Sequence, residues 1–182
     1  MERIIKLRHW QVFSILTFFY ILIFVFQEMK LSIGKLTPIE LTVASTIILI
    51  VLFFLWFMTN GIFLNQISDN PYHFKKYLII IAGISCILGY SLLNLQRLGL
   101  EKNIVPMWLS FVSFPFTFWG IIYLFYKVPK SLRSIELGHE AKFSEFLIDL
   151  ILFAIFPIGV WFLQPRLNRI YAMNEEIEKE NE

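Results

Sequence analysis

The sequence predicts an all-α membrane protein: four transmembrane helices, then a short fifth helix that is re-entrant or interfacial, with five full spans as the alternative. Three observations carry this. Apolar residues fill 57% of 182 positions and charged residues only 16%, with a mean hydropathy of +0.66, more than a soluble surface of this size can cover. Apolar stretches recur five times along the chain. The fifth differs from the rest, because it holds Asp149, is interrupted by Pro157 and Gly159, and ends in Arg166 and Arg169.

The first span follows Arg3, Lys6 and Arg8, and no charge occurs from His9 to Gln27, enough to cross about 30 Å of hydrocarbon at about 1.5 Å per residue. The run lacks a convincing small-residue cleavage site and is expected to stay as an anchor. Thr37, Pro38 and Glu40 open the second span as an N-cap, a first-turn proline and a capping-box carboxylate. Uncharged residues then run from Leu41 to Ser68, so this helix exceeds the bilayer thickness and tilts or projects.

Asn70 and Pro71 cap the third helix, expected to run past Lys75 and Lys76 to about Asn94. The fourth follows Asn103, reaches Tyr126 and should kink at Pro115. The polar connection from Lys127 to Phe143 reads as a separate interfacial helix, started at Pro129 and stopped at Gly138, with Leu132 and Ile135 on its apolar side. Ser144 is the predicted N-cap of the fifth helix, with Phe143 stapled against Ile148. From Glu145 to the break near Phe156 it spans about 18 Å, which reaches only about the bilayer midplane. Asn174 to Glu182, with five Glu and one Lys, reads as a solvated, partly disordered tail. The polytopic domain is thus residues 1–173 and the acidic tail 174–182.

Positive charge favours the four-span topology. With the N-terminus cytoplasmic, twelve of the 16 Lys and Arg residues lie on the inner side if the fifth segment turns back, against nine if it crosses. Both termini are then cytoplasmic.

The same inventory narrows the chemistry. The net charge of +2 and scattered basic residues provide no stripe for nucleic acid. Cys86 is the only cysteine, which excludes an intrachain disulfide and a CxxC pair. The three histidines lie on separate segments without metal-ligand spacing, and neither a nucleophile elbow nor a phosphate-cradling glycine loop is present. No cofactor is expected. Trp10, Trp56, Trp108 and Trp161 fall near segment ends, where indoles favour the interface.

Two groups of residues remain as candidates. Ser110, Ser113, Thr117 and Gly120 share one face of the fourth helix, and Ala82, Cys86 and Gly89 share one face of the third; these small faces are expected to pack together. Asp149, in an apolar segment, is a candidate functional carboxylate by its cost alone, although it lies close enough to the helix start to serve as a structural charge. Arg166, with Gln164 and Asn168, closes the segment; Arg166 is expected to pair with Asp149 or Glu145 across the turn, or to hold a lipid phosphate.

The stretch from Lys130 to Ile170 contains ELG-x-E-x-KFS-x-F and FPIG-x-W-x-x-QPR-x-N. It resembles a group of uncharacterised small bacterial polytopic membrane proteins, over about a quarter of the chain. The resemblance implies a location in the bacterial inner membrane and a single unit formed by the connection and the broken fifth segment; it implies no activity or catalytic residues.

Three functions follow as expectations. The first is a non-catalytic membrane protein acting by contact, as an accessory or assembly subunit or a self-associating unit, whose partners are the lipid bilayer and another protein or a second copy. The second is a small ion or solute channel or transporter using Asp149 and the Pro157–Gly159 break. The third is a lipid-modifying membrane enzyme using Asp149 and Arg166.

Overall fold

The computed structural model of the protein describes residues 9–28, 33, 37–67, 76–102, 106–155 and 158–180. They form six helices: α1 (His9–Glu28), α2 (Pro38–Ile67), α3 (Lys76–Lys102), α4 (Met107–Leu137), α5 (Phe143–Ala154) and α6 (Ile158–Glu180). Four are long and apolar enough to cross a membrane, over Trp10–Glu28, Pro38–Ile67, Lys76–Gln96 and Phe111–Leu137. The chain is a multi-pass membrane protein with an added short helix, the predicted class.

The start of α2 matches its sequence signal. The Thr37 amide donates to Glu40 Oε2 at 2.8 Å, and the Glu40 amide donates to Thr37 Oγ1 at 3.4 Å, the reciprocal bonding of a capping box. Helix α3 does not stop near Asn94 but continues to Lys102. Asn94 bonds the Tyr90 carbonyl through Nδ2 at 2.8 Å, and the Leu, Gln, Arg, Glu and Lys that follow are good helix formers. The proposed cap at Asn70 and Pro71, and Asn103 before α4, lie outside the described residues.

The separate interfacial helix is not found. Instead α4 runs unbroken through Pro115 and Pro129 to Leu137, ending on Gly138 at φ 70°. The glycine stop was correctly placed, at the left-handed position that favours this residue, and Leu132 and Ile135 do face protein. Packing carries the helix through Pro129: Val128 and Leu132 on either side are fully buried in the main core, and that burial offsets the missing hydrogen bond.

Helix α5 starts two residues earlier than predicted. Lys142 is the cap position, and its amide donates to Glu145 Oε2 at 2.6 Å; Ser144 lies inside the first turn. Phe143 meets Phe146 edge-on at 5.3 Å, while Ile148 remains exposed, so the expected staple is replaced by an aromatic pair. The helix closes with an Ile155 amide bond to the Ile151 carbonyl at 2.8 Å, and the Gly159 amide returns to Ile155 at 2.9 Å. Pro157 itself lies outside the described residues. A Cβ on Gly159 would stand 1.6 Å from the Leu152 carbonyl oxygen, so only glycine lets α6 fold back this closely on α5.

The acidic tail also departs from expectation. Helix α6 passes Pro165 and continues to Glu180. Glu175 and Lys179 stand one turn apart at 3.7 Å, a spacing that supports a solvated helix.

Helix α3 packs on α4, α2 contacts α1, α3 and α4, and the α5–α6 hairpin leans on α4 and α1. Their shared core contains Phe57, Ile79, Leu124, Val128, Leu163 and Leu167. The small faces of α3 and α4 meet as predicted: a Cβ on Gly120 would lie 2.6 Å from the Ala82 carbonyl oxygen and 2.8 Å from Cys86 Sγ, and one on Gly89 would lie 1.6 Å from Thr117 Oγ1. Thr117 Oγ1 also donates to the Ser113 carbonyl at 2.9 Å. The Ser110 side chain lies outside the described residues.

Candidate functional site: an arginine tie under an amphipathic cleft

Asp149 sits midway along α5 and Arg166 near the middle of α6, and the tight turn between those helices brings them face to face. Arg166 Nη1 donates to Asp149 Oδ1, and Nη2 to Oδ2 at 3.2 Å. This is the pairing expected from sequence. The second partner was not foreseen: Arg166 Nε donates to Glu136 Oε1 at 2.7 Å and Nη2 to Glu136 Oε2 at 2.6 Å. One planar guanidinium therefore grips two carboxylates side-on, the forked geometry that arginine alone provides. The tie joins the end of α4 to both arms of the hairpin.

Burial divides the tie in two. The Asp149 side chain is only 5% exposed, whereas those of Arg166 and Glu136 are 25% and 24% exposed. Asp149 is the partner that needs the arginine, because an unpaired carboxylate there would lose its hydration without compensation. Hydrogen bonds to Glu136, and next to Asp149, hold the Arg166 guanidinium protonated still more firmly than usual.

Gln164, two residues before Arg166 on α6, is fully buried. Its Oε1 accepts from Trp56 Nε1 at 2.8 Å and its Nε2 donates to Asn168 Oδ1 at 3.1 Å. Trp56 is thereby corrected from an interfacial indole to a core residue, 4% exposed, whose ring also packs 5.8 Å from Phe153. The polar atom on a large apolar ring has found an acceptor inside the protein rather than at the headgroups.

The connection from α4 to α5 is fastened above the tie. Lys130 pairs with Glu140, Ser134 Oγ accepts from the Ala141 amide at 3.0 Å and donates to the Lys130 carbonyl at 2.8 Å. This elbow leaves His139, Glu140, Lys142 and Phe143 exposed.

Beside the tie, the ends of α2 and α4 and the middle of α6 enclose a cleft of about 650 Å³, lined on its polar side by Arg133, Glu136, Arg166, Arg169 and Asn174. Arg133 reaches Glu136 Oε2 at 3.2 Å through Nη1, but its Nε is buried without a partner. Among the described residues no cluster of three His, Cys, Asp or Glu side chains is arranged to hold a metal.

The structure thus brings Asp149, Arg166, Gln164 and Asn168 into one connected network and gives Gly159 the turn that makes it possible. It sets Ala82, Cys86, Gly89, Ser113, Thr117 and Gly120 apart, in the α3–α4 seam. Glu136 was missed as a partner of Arg166 and Arg133 because it lies 30 residues from Arg166, on a different helix. The i, i+3 spacing of Arg133 and Glu136 was the available signal, since any helix through this stretch places both on one face. No family model, curated protein or solved structure matches this chain.

Proposed function

We propose that this chain is a non-catalytic multi-pass membrane protein that acts by contact, as an accessory or assembly subunit whose contact surface is the elbow between α4 and α5. The observation that carries this is the occupancy of Arg166. Both carboxylates within its reach, Asp149 and Glu136, are held by it, and Gln164 is held by Trp56 and Asn168. The groups that a proton path or a lipid-modifying reaction would recruit are committed to docking the hairpin. The elbow, by contrast, is rigidly fastened and turns exposed polar and aromatic side chains outward, as a contact surface requires.

Two further parts of the proposal rest on sequence. The Lys and Arg distribution puts the N-terminus, elbow and tail on the cytoplasmic side, and the resemblance to small bacterial membrane proteins favours the inner membrane. Self-association is the weaker form of contact here, because the small faces that would mediate it are spent between α3 and α4.

The test is gentle extraction of the tagged full chain from its native membrane, followed by native mass spectrometry. A second polypeptide at fixed stoichiometry, lost on the exposed-elbow substitution His139→Glu with Lys142→Glu while helix content is kept, is the expected result. A bare monomer contradicts the proposal. Ion flux in liposomes that disappears in Asp149→Asn would replace it with the channel.

A further inference from the structure

The cleft beside the arginine tie has an unbalanced charge and a divided lining. Three guanidinium groups, from Arg133, Arg166 and Arg169, border it together with one carboxylate, Glu136, and Asp149 pairs with Arg166 from outside the lining. Those two acids are taken up by Arg166, which leaves one positive charge uncompensated. It resides on Arg133 and Arg169. Arg133 holds Glu136 by a single Nη1 contact while its Nε is buried without an acceptor, and Arg169, exposed, makes no ion pair among the described residues. Buried donors are seldom left so, and an acceptor with several oxygens in one group would satisfy both arginines together.

The rest of the lining identifies what that acceptor is attached to. Ile67, Ile135, Ile170 and Met173 form the apolar walls. The cleft lies where two membrane-capable helices end, at Ile67 of α2 and Leu137 of α4. Its volume of about 650 Å³ falls in the range of about 300–1,000 Å³ typical of sites for small organic ligands and exceeds what an inorganic anion needs. A free phosphate would use the arginines and leave the apolar walls wet. A phospholipid uses both, with its charged group at the helix ends and its chains toward the bilayer.

We infer that this cleft binds one anionic phospholipid, its phosphate held by Arg133 and Arg169 and the first carbons of its chains seated on Ile67, Ile135, Ile170 and Met173. Arg166 is not the lipid ligand, contrary to the expectation from sequence, because four of its five N–H donors are already engaged by Asp149 and Glu136. It serves as a positioning residue that holds α6 against α4 and so keeps the two lipid-binding arginines on one cleft. This site is independent of any protein partner and stands or falls separately from the contact function.

The test uses the full chain in phosphatidylcholine vesicles containing a minor share of phosphatidylglycerol, with native mass spectrometry of lipid retained after detergent release. One phosphatidylglycerol per chain is expected on the wild type. With about 1 kcal/mol per arginine near a membrane surface and 1.4 kcal/mol per tenfold, Arg133→Gln with Arg169→Gln should weaken retention roughly 30-fold. Met173→Glu keeps both arginines, adds a negative charge at an already exposed wall position, and should also release the lipid. Helix content and melting temperature of both variants, read alongside, establish that they fold. Equal retention of phosphatidylcholine and phosphatidylglycerol, or undiminished phosphatidylglycerol in both folded variants, overturns the inference. Displacement of the lipid by millimolar inorganic phosphate, with phosphate itself bound in lipid-free detergent, would assign the site to free phosphate; displacement by an acidic peptide alone would assign it to a protein carboxylate. Either result rejects the lipid.

Discussion

Replacing Arg166 by methionine keeps most of the side-chain length and removes the tie at a stroke. Two carboxylates lose their partner, and their exposures set the size of the effect. Asp149, with a side chain 5% exposed, is the buried half, and breaking a buried pair from one side costs about 3–5 kcal/mol. Glu136, 24% exposed, can recover solvent and retains Arg133 at 3.2 Å, so its share is about 1 kcal/mol or less. Arg166→Met is therefore expected to destabilise the protein by about 4 kcal/mol. Asp149→Leu alone leaves Arg166 with Glu136 and partial solvent, and should cost about 1–3 kcal/mol. The double variant replaces the buried pair by packed apolar groups, which is often near neutral. It should be more stable than Arg166→Met alone, with a coupling of at least about 2 kcal/mol. Reversible unfolding in mixed micelles, followed by far-ultraviolet circular dichroism, measures all four corners of the cycle. Additivity of the two single variants within about 0.5 kcal/mol would refute a specific pairing.

The same assay reaches two other contacts. Gly120→Val forces side-chain atoms against the Ala82 carbonyl, already 2.6 Å from an added Cβ, and should cost about 1–3 kcal/mol by overpacking; an unchanged melting temperature would mean that α3 and α4 are not in contact there. Gln164→Leu strips the acceptor from a buried Trp56 Nε1, with a loss of about 1–3 kcal/mol. Trp56→Phe added to it should restore part of that loss, and tryptophan fluorescence should report the change in the ring's surroundings in Gln164→Leu.

Much of the fold was legible because the bilayer imposes long uncharged runs and Thr37, Pro38 and Glu40 mark a helix start with little ambiguity. The Asp149–Arg166 pair was legible for a geometric reason: the residues lie about equally far on either side of the Pro157–Gly159 break, so folding back at that point makes them meet. Three features were not legible. Continuation of α4 through Pro129 depends on Val128 and Leu132 finding partners in other helices, which no local pattern records. Helix in the tail after Asn174 rests on propensity and one i, i+4 pair, signals also compatible with a disordered acidic end. The inward position of Trp56 depends on Gln164, 108 residues away. Local rules placed Trp56 at an interface because its acceptor is nowhere near it in sequence.

The turned-back hairpin is the feature on which the tie, the elbow and the cleft all depend. Side-specific labelling tests it most directly, with Cys86 replaced by alanine and single cysteines introduced as Glu140→Cys at the elbow, Ile155→Cys at the turn and Lys179→Cys near the end of α6. A helix of 12 residues is only about 18 Å long, so a membrane-impermeant maleimide should reach positions 140 and 179 from the same face of the membrane and position 155 from neither. Labelling of position 179 from the face opposite to position 140 would mean that the segment crosses, and would contradict the fold described here.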